Sequence, residues 1–205
     1  MQIKLFSRFA RALALMLALG ASSHAMADVA RLVTLDTSVY GAGRAGFLDF
    51  TFNGVDGAPA ATATMTQLHG FDMDPANFSP WGDASAVPGG FAMLNSINMN
   101  DVLYQGVFGN VFSFVLTISG DASALLNSDF GVIAYDENLV QIKGKILDLM
   151  FVAAPDGSPD LQVISINNAI ASVGDAPVAA VPEPASLALA ALGLLLLAVM
   201  RRRRA

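Results

Sequence analysis

Few residues of this 205-residue chain are of types that do chemistry, and they lie far apart. Its two histidines are His24 and His69, and only His69 lies beyond the leader described below. A serine hydrolase needs a base within reach of its nucleophile, and His69 beside Gly70 reads as a loop residue. No G-x-S-x-G, H-E-x-x-H or Walker-type loop is present. Gly41-Ala42-Gly43-Arg44-Ala45-Gly46 matches G-x-G-x-x-G to the letter. The dinucleotide fingerprint requires a helix next, so that its N-terminus holds the pyrophosphate. A strand pattern follows instead, so the glycines read as a connection between strands. A glycosidase needs two carboxylates about 5–10 Å apart; among 17 acidic residues some pair always qualifies, so their abundance points nowhere. Glu137, next to Asp136, reads as a turn residue. The absence of cysteine excludes thiol nucleophiles, cysteine zinc sites and cysteine-ligated iron–sulfur clusters.

Two binding chemistries stay open. Asp72-Met73-Asp74 with Asn77 and Asp83 is the densest run of oxygen donors, and calcium takes six to eight oxygens from such loops. The EF-hand order is missing, so a solvated loop is the plainer reading and calcium the one ion to test. Phe78 and Trp81, in the same stretch, offer flat apolar faces for stacking on a sugar ring. They serve equally well to pack over the end of a β-sandwich.

The elements that must position these residues read as strands. Val111–Ser119 puts Phe112, Phe114, Leu116 and Ile118 on one face, the alternation of a half-buried strand. Gly46–Asn53 points Leu48, Phe50 and Phe52 inward and Asp49 and Thr51 outward. Ala61–Leu68 alternates Ala61, Ala63 and Met65 with threonines. Ala30–Thr37, Phe130–Tyr135, Ile146–Val152 and Leu161–Asn167 are further strands, and Asp121–Asn127 holds one or two helical turns at most. Asn53-Gly54, Asp56-Gly57, Pro88-Gly89-Gly90, Gly109-Asn110 and Asp156-Gly157 are turn signals. Phe71–Gly90 reads as one long irregular stretch. The expected fold is all-β, an antiparallel sandwich or jelly roll over residues 28–173.

Both ends carry an address. Lys4, Arg8 and Arg11 precede the apolar Ala12–Ala21, and Ala25-Met26-Ala27 is an A-x-A cleavage site. Residues 1–27 thus read as a signal peptide, with the mature chain starting at Asp28. Residues 174–184 read as a linker. The apolar run Leu187–Met200 has no polar face to turn to water. With Ala185 and Ser186 it forms a transmembrane helix over 185–200. The 14-residue run reaches only ~21 Å against a bilayer core of ~30 Å, so the span is marginal. Arg201, Arg202, Arg203 and Arg204 resist translocation and mark 201–205 as a cytoplasmic tail. Between the targeting segments lie 16 acidic and four basic residues, about −12 against −6 for the whole chain. Nucleic acid and anionic membrane surfaces are poor partners for such a domain.

Pro182-Glu183-Pro184, the apolar run and the terminal arginines, in that order, resemble the PEP-CTERM sorting signal of Gram-negative bacteria. The resemblance covers residues 181–205. It implies an exosortase-type processing enzyme as partner, with cleavage near the Pro-Glu-Pro. It also implies export across the inner membrane, transient anchoring, and company with exopolysaccharide and biofilm. Leu35-Asp36-Thr37-Ser38 with Leu48-Asp49-Phe50 is similar to the opening of a group of small PEP-CTERM proteins, which adds plausibility to the fold and nothing catalytic. The expected function is a non-catalytic surface or matrix protein. The alternative is a carbohydrate-binding module using residues 71–90.

Overall fold

A computed structural model of the chain describes residues 28–96, 99–123 and 125–177. The expected signal peptide, the Pro-Glu-Pro motif and the apolar run with its arginines lie outside the described residues. Among the described residues no helix is long and apolar enough to cross a membrane.

Twelve strands follow in order: β1 (Val29–Asp36), β2 (Ala45–Gly54), β3 (Ala61–His69), β4 (Phe78–Trp81), β5 (Ala84–Val87), β6 (Gly90–Leu94), β7 (Asp101–Val107), β8 (Val111–Gly120), β9 (Ser128–Asp136), β10 (Gln141–Ala153), β11 (Pro159–Ile166) and β12 (Ala171–Asp175). They form two six-stranded antiparallel sheets. Sheet A has the order β12-β1-β8-β3-β6-β5 and sheet B the order β11-β10-β9-β2-β7-β4. β1 pairs with β8, β2 with β7 and β3 with β6. Such nested pairing is what rolling up one long hairpin produces, and it runs in two layers as in a jelly roll. β9, β10 and β11 then extend sheet B beyond β2, and β12 returns to sheet A beside β1.

Period-2 alternation makes this arrangement pack. Leu48, Phe50 and Phe52 of β2 face Phe112, Phe114, Leu116 and Ile118 of β8, each at most 1% exposed. The Phe50 and Phe114 rings meet edge-on at 5.4 Å between centroids. The Phe130 ring stands 6.1 Å from that of Phe114. All seven strands expected from the sequence are present. β4, β5, β6, β7 and β12 are additional, and β4 and β5 replace the irregular stretch expected over 71–90. Asn53-Gly54 is no turn. Gly54 closes β2 opposite Ser128, and the chain turns at Asp56-Gly57 instead, where Gly57 has φ +80°. The described residues of 121–127 form no helix, and β12 runs two residues into the expected linker.

Polar groups fix the connections. The Asp36 carboxylate accepts from Ser38 N–H at 2.9 Å and starts a 3-10 turn over Thr37–Tyr40. Thr37 is fully buried; its hydroxyl donates to Asn110 O at 2.8 Å and accepts from Gly109 N–H at 3.0 Å. The Leu-Asp-Thr-Ser segment therefore ties the β1–β2 connection to the β7–β8 turn. Asn95 does the same at the other end. Its side chain accepts from Ala61 N–H at 2.8 Å and donates to Pro59 O at 2.8 Å and Ser128 Oγ at 2.6 Å.

Candidate functional site

Asp28 lies exposed one residue before β1. Its end of the sandwich, here the near end, also bears the connections 55–60, 82–83 and 154–158 and the described residues of 95–100 and 121–127. The far end bears 37–44, 70–77, 88–89, 108–110, 137–140 and 167–170. Ala25, Ala27, Pro182, Glu183, Pro184 and Arg201 to Arg204 all fall outside the described residues.

Phe78 and Trp81 do not form one platform. They are three residues apart in β4, so they point to opposite faces of the strand. Phe78 pairs with the inward Tyr104 and packs its ring 4.7 Å from Phe91 and 4.9 Å from Tyr104. Trp81 pairs with Asp101 on the outer face and is 66% exposed. Of the two aromatics, only Trp81 is free to meet a ligand.

The oxygen donors of 72–83 are not gathered either. The Asp72 carboxylate accepts from Asp74 N–H at 3.1 Å, and that of Asp74 accepts from Ala76 N–H at 3.0 Å, opening the 3-10 turn Pro75–Asn77. Asp83 lies at the near end, beyond β4. Its carboxylate accepts from the Ser96 hydroxyl, and its N–H donates to Asn100 Oδ1 at 2.7 Å. Among the described residues no group of three or more His, Asp or Glu is placed to hold a metal ion. His69 ends β3, exposed, with Ser113 opposite on β8, and no side-chain hydrogen bond joins the two. Of the glycine-rich segment, residues 41–44 join the 3-10 turn to β2, and Ala45 and Gly46 open that strand. Glu137 sits exposed in the β9–β10 turn, where the Asp136 carboxylate accepts from Asn138 and Val140 N–H, each at 2.9 Å.

Strand register builds one constellation that sequence spacing hides. Trp81, Asp101, Thr51, Gly131, Asp148 and Ser165 lie in one row across the outer face of sheet B. In the next row Leu103, Asp49, Ile133 and Lys145 follow one another. Gly131 lets the Thr51 and Lys145 side chains close over it, because a Cβ would meet Thr51 Oγ1 at 2.8 Å and stand 3.7 Å from Lys145 Nζ. Lys145 pairs with Asp148 at 3.0 Å. Burial, and then the neighbouring Asp101, push the Asp49 carboxyl up to about 6. Burial also raises Asp101, and raises Asp129 against the opposing pull of Lys145. Asp49 Oδ1 and Asp148 Oδ1 are buried without a hydrogen-bond partner among the described residues. Carboxylates so placed accept hydrogen bonds from hydroxyl or amine donors. The only sequence trace of this face is the outward assignment of Asp49 and Thr51.

Among the described residues a cleft opens at each end of the sandwich. The near-end cleft, about 410 Å³, is walled by the 54–60 backbone, Leu94 and Asn95, whose polar side chain is already engaged. The far-end cleft, about 340 Å³, lies between the 70–77 connection and the ends of β7 and β8.

No match was found for the chain among curated proteins or among solved structures. A family model described as the PEP-CTERM protein-sorting motif matches residues 180–204. That span holds Pro182-Glu183-Pro184, the apolar run and all four terminal arginines. The motif implies export, recognition by exosortase and membrane-associated processing before the envelope or exterior is reached. The chain is thus a protein that carries a PEP-CTERM sorting motif, over residues 180–204.

Proposed function

We propose that this is an exported, non-catalytic surface or matrix protein, cut near Pro182-Glu183-Pro184 and associated with exopolysaccharide or biofilm. The sorting-motif match at 180–204 carries this reading. Physics gives the tail its part. The apolar run holds the exported chain at the inner membrane, and the arginines stop its translocation. Pro182 and Pro184 disfavour helix and keep the junction extended, where an enzyme reaches the backbone. The acidic domain is repelled by nucleic acid and anionic lipid alike. Replacing Pro182-Glu183-Pro184 by alanines in a host with an exosortase should leave full-length protein in the membrane fraction. If the variant and the wild type give the same processed product in the same fraction, the tail is an ordinary anchor.

A second reading, a carbohydrate-binding module, is favoured by the polar cleft against the 70–77 connection. Glycan binding by the purified protein tests it.

A further inference from the structure

The far-end cleft is lined by polar side chains that keep hydrogen-bonding capacity to spare, from three parts of the chain. Asp72 and Asn77 come from the 70–77 connection, Gln105 from β7 and Asn110 from the β7–β8 turn. Gln105 and Asn110 are exposed and Asn77 is half-buried. The side chains of Asn77 and Gln105 make no hydrogen bond within the described protein. That of Asn110 reaches only Val107 O, at a long 3.4 Å. The rim is nevertheless held in place, because Asp72 N–H donates to the Tyr104 hydroxyl at 2.9 Å and the Asp72 carboxylate accepts from Asp74 N–H. Gly70 and Gly106 line the cleft without putting a side chain into it. A Cβ at Gly70 would collide with the Val111 carbonyl, and one at Gly106 with the Tyr104 ring.

The chemistry of this rim selects a ligand class. Each amide presents two N–H donors and a carbonyl acceptor, and the carboxylate accepts only. A hydroxyl both donates and accepts, so a ligand with several hydroxyls satisfies such a rim. An anion would meet Asp72 with no Lys, Arg or His in the lining to balance it. An apolar ligand would need a ring face, but Tyr104 and Phe112 on the floor are 2% and 1% exposed. About 340 Å³ is at the small end of ligand pockets, room for one ring rather than a long stretch of polymer. We propose that this cleft holds a single sugar unit of a neutral polysaccharide, hydrogen-bonded by Asp72, Asn77, Gln105 and Asn110. The proposal rests on the carbohydrate-binding reading and moves its site from Trp81, at the near end, to the far end.

Affinity electrophoresis of the full-length chain tests it, in a polyoxyethylene detergent that carries no sugar headgroup. The gels contain a neutral glucan, a neutral galactomannan, or alginate as the polyanionic comparison. At least one neutral polymer should retard the protein and alginate should not. Gln105→Ala and Asn110→Ala should each weaken retardation about threefold to tenfold, the effect of one lost hydrogen bond. Both side chains are exposed, and thermal melts check that the variants stay folded. Trp81→Ala should change nothing. If Trp81→Ala abolishes binding and Gln105→Ala does not, the cleft is overturned while carbohydrate binding stands. Equal retardation by alginate overturns the charge argument. If no neutral polymer retards the chain, the cleft and the carbohydrate reading fall together. Processing of the alanine variant at 182–184 still reports separately on export and sorting.

Discussion

Asp49→Asn should stabilise the protein at neutral pH. The Asp49 carboxyl rises from 3.8 to about 6, chiefly because burial withholds water from the charge and secondarily because Asp101 repels it. At about 1.36 kcal/mol per unit, a rise of that size corresponds to ~3 kcal/mol. The carboxyl is partly exposed, and solvent screening cuts this to about 1.5 kcal/mol. The sign follows from proton linkage. Near pH 4 to 6 the folded protein keeps a proton on Asp49 that the unfolded chain has released. Stability is therefore fully present below the unfolded value and is lost as pH rises through about 6. Asparagine is nearly the same shape and never ionises, so it removes both the desolvated charge and its repulsion of Asp101. Urea melts of wild type and variant at pH 4 and pH 8 read this directly. At a urea m-value of about 1–3 kcal/mol/M, the variant's midpoint at pH 8 should be higher by about 0.5–1.5 M. At pH 4 most of the gap should close. Other carboxyls titrate in both proteins, so the difference between the two is the quantity that counts. A variant no more stable than wild type at pH 8, or a gap of the same size at both pH values, would refute the electrostatic account of this face.

Phe114→Ala should cost about 3–5 kcal/mol, because Phe114 is fully buried against Phe50 and Phe130; a loss under 1 kcal/mol in a urea melt contradicts that packing. Asn95→Ala should cost about 2–4 kcal/mol, since Ala61 N–H, Pro59 O and Ser128 Oγ all lose a partner at a site only 8% exposed. Asn95→Asp should recover part of the loss through Ala61 N–H. The exported protein should begin at Asp28, and Ala27→Leu should block cleavage because the A-x-A site takes small residues; N-terminal sequencing that finds Met1 in exported wild type contradicts this.

The sequence by itself settled what depends on local patterns. Alternation in Gly46–Asn53, Ala61–Leu68 and Val111–Ser119 predicted both the strands and the faces they bury, because successive side chains on a strand point to opposite sides. The sorting motif was legible for a similar reason: its parts are contiguous, and its work depends on order and hydropathy rather than on folding. The short strands escaped. β4 and β5 have four residues each, too few for a period to declare itself among Asp, Pro, Ser and Gly, and β12 has five. Pairing with β7, β6 and β1 makes them strands. β7 was missed despite its inward Val102 and Tyr104, which alternate with Leu103 and Gln105.

Only the tertiary structure decided which distant residues share a surface. Phe78 and Trp81 are near in sequence, yet the pleat turns one against the core and the other to solvent. Asp49, Asp101, Asp129 and Asp148 are spread over a hundred residues, and the registers of β2, β7, β9 and β10 gather them on one face. The far-end cleft draws Asp72, Asn77, Gln105 and Asn110 together only because connections from both sheets meet at that end. Pairing partners and register arise from long-range contacts, which local residue preference does not encode. The same locality that makes an address readable in a linear chain leaves a binding surface unreadable until the sheets have closed on each other.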